Sequence, residues 1–374
     1  MAESSKRNYA LDVLRGVAVL IMLLLSSPPD DLYPALEHAE WSGMTVPDVA
    51  LPLFAFTMGT GAAISMSKRE PSTRKIFKRV AIIFALGLLI NFEWDFFKLL
   101  FEHGFTAENF WDVAIVHGRL FGVLQRLAIT YALAIFFVRA IRSNGGILIA
   151  ACVLLILSTA GFYIYSPENP YDEMHNISGA VDWIFPGVDH IYMLTHDPEG
   201  LYGSIAGTAT VLFGFLAGRV LVDDNTTREK IFRLSAAGIV LLIAGGLWSM
   251  IEIVSKNLWT ASYALINAGG DALLLALFMK LFDAVPDAKK IFHPLKALGM
   301  NPLFFYTANC LILVPLIYLP SPLEGTGFYI WLYQSTTQNI ISTEFGAMLF
   351  CVIWCLLWLP IAEIFYRRGI TIKL

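Results

Sequence analysis

The chain has 374 residues, of which 57% are Ala, Val, Ile, Leu, Met, Phe, Trp, Tyr or Cys and only 15% are charged, against about a quarter charged in ordinary soluble domains. A mean hydropathy of +0.64, with the apolar residues gathered into blocks of about 20, the length that crosses a bilayer as a helix, argues against a water-soluble globule. The net charge of −4 and the scattered basic residues give no footing for a nucleic-acid partner.

Ten blocks, near 9–27, 46–66, 78–97, 118–138, 146–165, 201–222, 235–253, 260–282, 297–319 and 344–366, predict an all-α, polytopic transmembrane helix bundle of about ten spans, a single domain over 1–374. In the first block Asp12 and Arg15 stand three apart, share a helix face and can neutralise one another. These charges, and the lack of a small-residue cleavage site, mark the block as a span and not a removed leader. The loop after it carries His38, flanked by Glu37 and Glu40 and followed by Trp41; Asp48 opens the second block. An imidazole among carboxylates is held in one tautomer and can accept a proton. Read blandly, His38 is a surface-loop histidine and Asp48 a first-turn acid at a helix N-terminus.

Gln125 and Arg126 lie inside the fourth block. An unpaired guanidinium there is expensive, so Arg126 must meet a carboxylate, a phosphate or water, with Glu93, Asp95 or Asp271 as structural candidates. The same four charges would suit an alternative function, a secondary transporter or channel; no span-length repeat supports it. Asn301, between Gly299 and Pro302, sits where a helix is interrupted, and its amide can satisfy freed backbone groups or contact a ligand. The segment 328–341 reads as lying along the membrane interface. Cys152, Cys310, Cys351 and Cys355 fall inside apolar blocks, which points to packing, with no disulfide framework or metal site.

Placing both termini in the cytoplasm puts all but four of the 26 Lys and Arg residues on the inner side; Lys98, Arg119, Arg126 and Lys256 remain for the outer half, and Lys6, Arg7 and Lys373 count among the inner ones. That asymmetry supports the even span count. Histidines divide the other way: His38, His103, His117, His175, His190 and His196 fall outside and His293 inside.

The string around His38, with Trp41, Gly43, Thr45 and Asp48 and the following span with Met58 and Gly59, resembles the heparan-alpha-glucosaminide N-acetyltransferase family of transmembrane acyltransferases and its bacterial relatives. The likeness continues in family order through Gly122-Val123-Leu124-Gln125-Arg126-Leu127-Ala128, His196-Asp197-Pro198-Glu199-Gly200-Leu201, Lys256-Asn257-Leu258-Trp259-Thr260-Ala261-Ser262-Tyr263 and Leu298-Gly299-Met300-Asn301-Pro302. The resemblance implies transfer of an acetyl group from cytoplasmic acetyl-CoA to the amine of a glucosamine-type sugar, or a cell-envelope glycan, on the outer face. It maps the family's catalytic histidine onto His38; Asp48, whose other reading is the first-turn acid, is the candidate to orient that imidazole. Where the family usually has an asparagine at the outer end of span one, this chain has Ser26-Ser27-Pro28-Pro29, so Ser27 is the expected stand-in; a hydroxyl lacks the amide's separate donor and acceptor. Arg15, Gln125, Arg126 and Asn301 are the expected coenzyme contacts, with Lys68, Arg69, Lys289, Lys290 and Lys296 available for its phosphates. Trp41, Glu199, Lys256, Asn257 and Trp259 are the expected acceptor contacts. A compact bacterial member in an inner membrane and a homodimer complete what the resemblance implies.

Overall fold

The computed structural model describes residues 8–323 and 325–372. Of the basic residues counted above, Lys6, Arg7 and Lys373 lie outside the described residues, as does the side chain of His103. Every apolar block is helical: α1 (Tyr9–Leu25), α2 (Ala50–Lys68), α3 (Thr73–Lys98), α4 (Val123–Ile141), α5 (Asn144–Tyr165), α6 (Ser204–Val222), α7 (Thr227–Trp248), α8 (Ala261–Ala284), the pair α9 (His293–Gly299) and α10 (Pro302–Tyr318), and α11 (Thr343–Arg367). Among the described residues, eight helices are long and apolar enough to cross a membrane, and the α9–α10 pair, bent by 81°, makes a ninth if it is one broken span. Helix α1, with 17 residues, falls outside that count; the bundle reaches ten spans if α1 and the bent pair each cross. The chain is an integral membrane protein of helices.

Local chemistry sets the boundaries. Helices α3 and α7 begin ahead of their apolar blocks because Ser72 caps Lys75 N–H, and Thr226 forms a capping box with Glu229; the charged first turns remain helical while their long side chains reach outward. The bend between α9 and α10 falls where Pro302 can open a helix but cannot continue one. The segment 328–341 holds a nine-residue helix, Phe328–Thr336, with Tyr329 and Tyr333 buried. Cys351 and Cys355 are buried, as a packing role requires, whereas Cys152 is exposed.

Small residues bring the central helices together, as lipid-embedded helices favour. A Cβ at Gly59 of α2 would stand 2.0 Å from the Val211 carbonyl of α6, and one at Gly214 of α6 would stand 2.0 Å from the Phe56 carbonyl. Thr60 adds a hydrogen bond to the Gly214 carbonyl at 3.0 Å. Likewise Gly16 of α1 lies against the Leu295 backbone and Gly299 against the Asp12 carbonyl, so the first helix and the Leu298–Pro302 string, almost 300 residues apart in sequence, interlock. Helices α3 and α7 are peripheral and little buried.

The connections segregate to two ends. Loops 26–49, 99–122, 166–203 and 249–260 meet at one, as the cross-links Asn257–Glu40, Trp41–Tyr171 and Arg119–Asp197 show. At the other, Arg139 reaches Glu70, His293 reaches Glu363 at 2.7 Å, and Tyr9 donates to the Lys289 carbonyl. Most described Lys and Arg residues stand at this second, basic end.

Candidate active site

The site is built on the loop between α1 and α2. A Pro47–Val49 turn opens α2 and buries Asp48 completely. Asp48 Oδ1 meets His38 Nδ1 at 2.6 Å. Its other oxygen accepts from the backbone N–H groups of Ala39 at 3.1 Å and Thr45 at 3.0 Å and from the Thr45 hydroxyl at 2.9 Å. Asp48 therefore caps its own loop, and α2 only incidentally. A carboxylate surrounded by donors is an acceptor, so the proton of this pair sits on Nδ1 and the lone pair on Nε2. The imidazole is 47% exposed, so Nε2 can be reached from outside.

A second loop closes on the first. Gly43 N–H donates to the Val254 carbonyl, Asn257 Nδ2 to the Glu40 carbonyl at 2.8 Å, and Lys256 Nζ lies 3.3 Å from His38 Nδ1. Tyr263, at the start of α8, donates to the Asp48 carbonyl at 2.5 Å. Beneath the loop, buried Glu252 accepts from Thr159 and Tyr171 hydroxyls and Ser262 N–H. The Tyr171 carbonyl in turn takes the Trp41 indole N–H at 3.0 Å, and the Trp41 ring stands edge-on to His196.

The third wall is a buried charge network. Arg119 grips Asp197 with two bonds, at 2.9 and 2.6 Å, and Glu199 with one at 2.7 Å. Burial would push the Glu199 carboxyl up, but the charges of Arg119, Lys256 and Arg126 hold it below the ordinary range. Asp182 goes the other way: burial pushes it up to about 6 despite bonds from the Asp197 and Leu201 N–H groups.

The expected residues thus divide. His38, Asp48, Trp41, Lys256, Asn257 and Glu199 come together. Trp259 does not join their surface: it is 1% exposed, between the Arg126 guanidinium, Thr210 and Tyr263, and supports the site from below. The Ser27 hydroxyl turns to the Ser26 carbonyl. Arg126 meets neither Asp95 nor Asp271; it donates to the Gly200 carbonyl at 2.6 Å, with Glu199, Asp197 and Asp182 supplying nearby negative charge. The irregular 182–200 loop folds back onto the mouth of α4, which brings those acids closer than any on a neighbouring helix. Glu93 and Asp271 each keep one carboxylate oxygen without a partner, and among the described residues Arg126 forms no ion pair with either. Gln125 donates to the Leu120 carbonyl. Asn301 clamps the C-terminal segment, donating to the Ile370 carbonyl and accepting from Ile372 N–H.

Arg15 reaches Asp12 at 3.4 Å, the predicted pair, and the Thr57 carbonyl. At the basic end the expected cations split. Lys68, Arg69, Lys75 and Arg79 line a cleft of about 470 Å³ between α2, α3 and α4, floored by Tyr131 under the Arg79 guanidinium. Lys289 and Lys290 flank a separate, open depression beside Tyr9 and His293, and Lys296 is taken by Tyr366 and the Tyr9 ring. Arg79, Arg119, Tyr263, Glu252 and Tyr171 were not singled out by the sequence. Only Tyr263 and Glu252 carried a usable signal, one closing the Lys256 string and the other an acid at a span end.

Residues 7–171 match the family described as heparan-alpha-glucosaminide N-acetyltransferase, catalytic. The chain is 25% identical to the heparan-alpha-glucosaminide N-acetyltransferase of Homo sapiens over 438 aligned positions, covering 98% of this chain and 60% of that protein. It is 24% identical to that of Mus musculus, covering 99% of this chain and 61% of the relative. The chain therefore spans about 60% of the length of the curated relatives it matches. These matches bear out the family resemblance carried by the motifs.

Proposed function

We propose that the chain is a membrane-embedded acetyltransferase that moves an acetyl group from acetyl-CoA, entering at the basic end, to the amine or hydroxyl of a glucosamine-type sugar at the His38 end. The observation that carries this reading is the His38–Asp48 pair, whose buried carboxylate is ringed by donors, engages Nδ1 and leaves Nε2 as the ring nitrogen open to a substrate. The two relatives are N-acetyltransferases by name, which supports the same chemistry. With ten spans, both termini and the basic end are cytoplasmic and the His38 end faces the opposite compartment, an orientation supported by the segregation of Lys and Arg.

In the reaction the sugar nitrogen attacks the thioester carbonyl. The C–N bond forms, the nitrogen's proton passes to His38 Nε2, and collapse of the tetrahedral intermediate breaks the C–S bond; the thiolate leaves and takes the proton from the imidazolium. Asp48 holds the ring and balances its transient charge. Nε2 is equally placed to carry the acetyl group itself; exchange of labelled coenzyme A into acetyl-CoA without acceptor separates the two routes. Trp41 offers a ring face to the sugar, and Glu199, Lys256 and Asn257 line the rim as polar contacts.

The Lys68–Arg79 cleft supplies charge for the donor's phosphates. Lys68 lies about 27 Å along α2 from Ala50, so the donor has to reach nearly a helix length towards His38. The test is direct: the purified chain in lipid nanodiscs, given labelled acetyl-CoA and glucosamine, transfers label to the amine. Absence of transfer to amine or hydroxyl acceptors, with bound coenzyme demonstrated, would overturn the reading.

A further inference from the structure

We propose that the acceptor is anchored in the membrane, its hydrocarbon tail resting on an apolar platform formed around Phe105 and Trp111 and by residues 183–194 while its sugar faces His38. The proposal rests on the acetyltransfer reading and adds the substrate class.

Height comes first. The span Thr73–Phe101 has 29 residues, about 43 Å of helix, which matches a whole bilayer including its headgroups and exceeds its hydrocarbon core. Because α3 begins at the basic end, its far turns and the 99–121 segment stand at headgroup level on the His38 side. Loop 183–194 is fixed at the same height: Leu120 N–H donates to the His190 carbonyl, the His190 ring bonds the Gly118 carbonyl at 2.8 Å, and Phe121 packs on Phe185.

Composition comes second. At this level, where a water-facing loop would be polar, Ile184 is 86% exposed and Leu194 89%, with Trp183, Phe185, Tyr192 and Trp111 each more than half exposed. Indole and phenol rings beside bare aliphatic side chains are the composition of a membrane interface. The patch joins the exposed apolar surface of α3 at Phe92, whose ring meets Phe110, so lipid that covers the helix also reaches the platform.

Position comes third. The edge of the platform is the wall of the site. Arg119 lies under the Tyr192 ring, 4.5 Å from its centroid, while it grips Asp197 and Glu199. His196, two residues beyond Leu194, meets Trp41. A glycolipid sliding in this leaflet would bring its sugar to Trp41 and His38 without leaving the bilayer; a free sugar gains nothing from such a surface.

The experiment compares methyl glucosaminide with dodecyl glucosaminide as acceptors for the full chain in nanodiscs, wild type and an Ile184→Gln/Leu194→Gln variant. The expected result is a kcat/KM for the dodecyl glycoside about tenfold or more above the methyl one, as burial of a few methylenes supplies, with the variant losing most of that advantage and keeping its methyl rate. Equal use of both glycosides by the wild type, or an equal loss on both in the variant, overturns the proposal and leaves the acetyltransfer reading standing. Conversion of a two-copy into a one-copy particle by the variant, with the dodecyl preference intact, overturns it in favour of a self-interface. Transfer to neither glycoside sinks the acetyltransfer reading and the proposal together.

Discussion

The two ends of the bundle treat charge in opposite ways. At the His38 end Asp48, Asp182 and Asp197 are fully buried and Glu199 nearly so, each held by specific donors. At the basic end Lys68, Arg69, Lys75, Lys289 and Lys290 face solvent. Buried, fully bonded charge is preorganised and expensive to disturb, which suits bond-making. Exposed cations on long side chains give an adaptable, salt-sensitive grip, which suits holding phosphates. On the proposed function, the contrast fits chemistry at one end and donor capture at the other.

The largest effect that could break this division is at Asp48. Asp48→Asn keeps the shape but puts a donor where Nδ1–H and the Ala39 and Thr45 N–H groups need an acceptor; steady-state kinetics should show kcat down by about 10²- to 10⁴-fold, with KM for acetyl-CoA little changed. Arg119→Met comes next. It strands Asp197 and Glu199 as buried acids, and thermal or denaturant unfolding in detergent should show a loss of about 3–5 kcal/mol. Arg79→Ala at the other end should leave kcat and stability nearly intact while raising KM for acetyl-CoA about tenfold, and high salt should blunt the difference. If Arg79→Ala lowered kcat instead, the division would fail.

The smallest effect sharpens the picture through pH. Burial holds the His196 imidazole below its ordinary value, helped by Arg126 and opposed by Asp197, Glu173 and Glu199. Below about pH 6.5 the unfolded chain takes up a proton that the folded ring refuses, so this contribution to stability is present above that pH and lost as pH falls. Asp182, pushed up to about 6, acts in the reverse sense between about pH 4 and 6, where the folded state binds the extra proton. The His196 part is therefore read as a difference: the melting temperature of His196→Asn should fall less than that of wild type between pH 7 and 5.5.

The helices were legible because an apolar block of span length leaves its backbone no choice but to bond internally. The Asp12–Arg15 pair was legible because helix spacing puts three-apart residues on one face. His38 and Asp48 are ten residues apart in one loop and share a family string, and they are joined as the sequence suggested. What lay hidden depends on contacts between loops remote in sequence: Asn257 on Glu40, Tyr263 on Asp48, Arg119 on Asp197. No local period encodes these. The sequence points to helix acids as partners of Arg126 because a charge in a span is satisfied by neighbouring spans, yet an irregular loop supplies the partner. Asn301 sits at a helix break as expected, but its amide serves the C-terminal backbone, a segment whose path the sequence does not reveal.

The most direct test of the account is turnover by His38→Ala with coenzyme binding measured on the same preparation. Transfer of labelled acetyl to a glucosaminide amine should be abolished while acetyl-CoA binds with near wild-type affinity; wild-type turnover by this variant would contradict a catalytic His38.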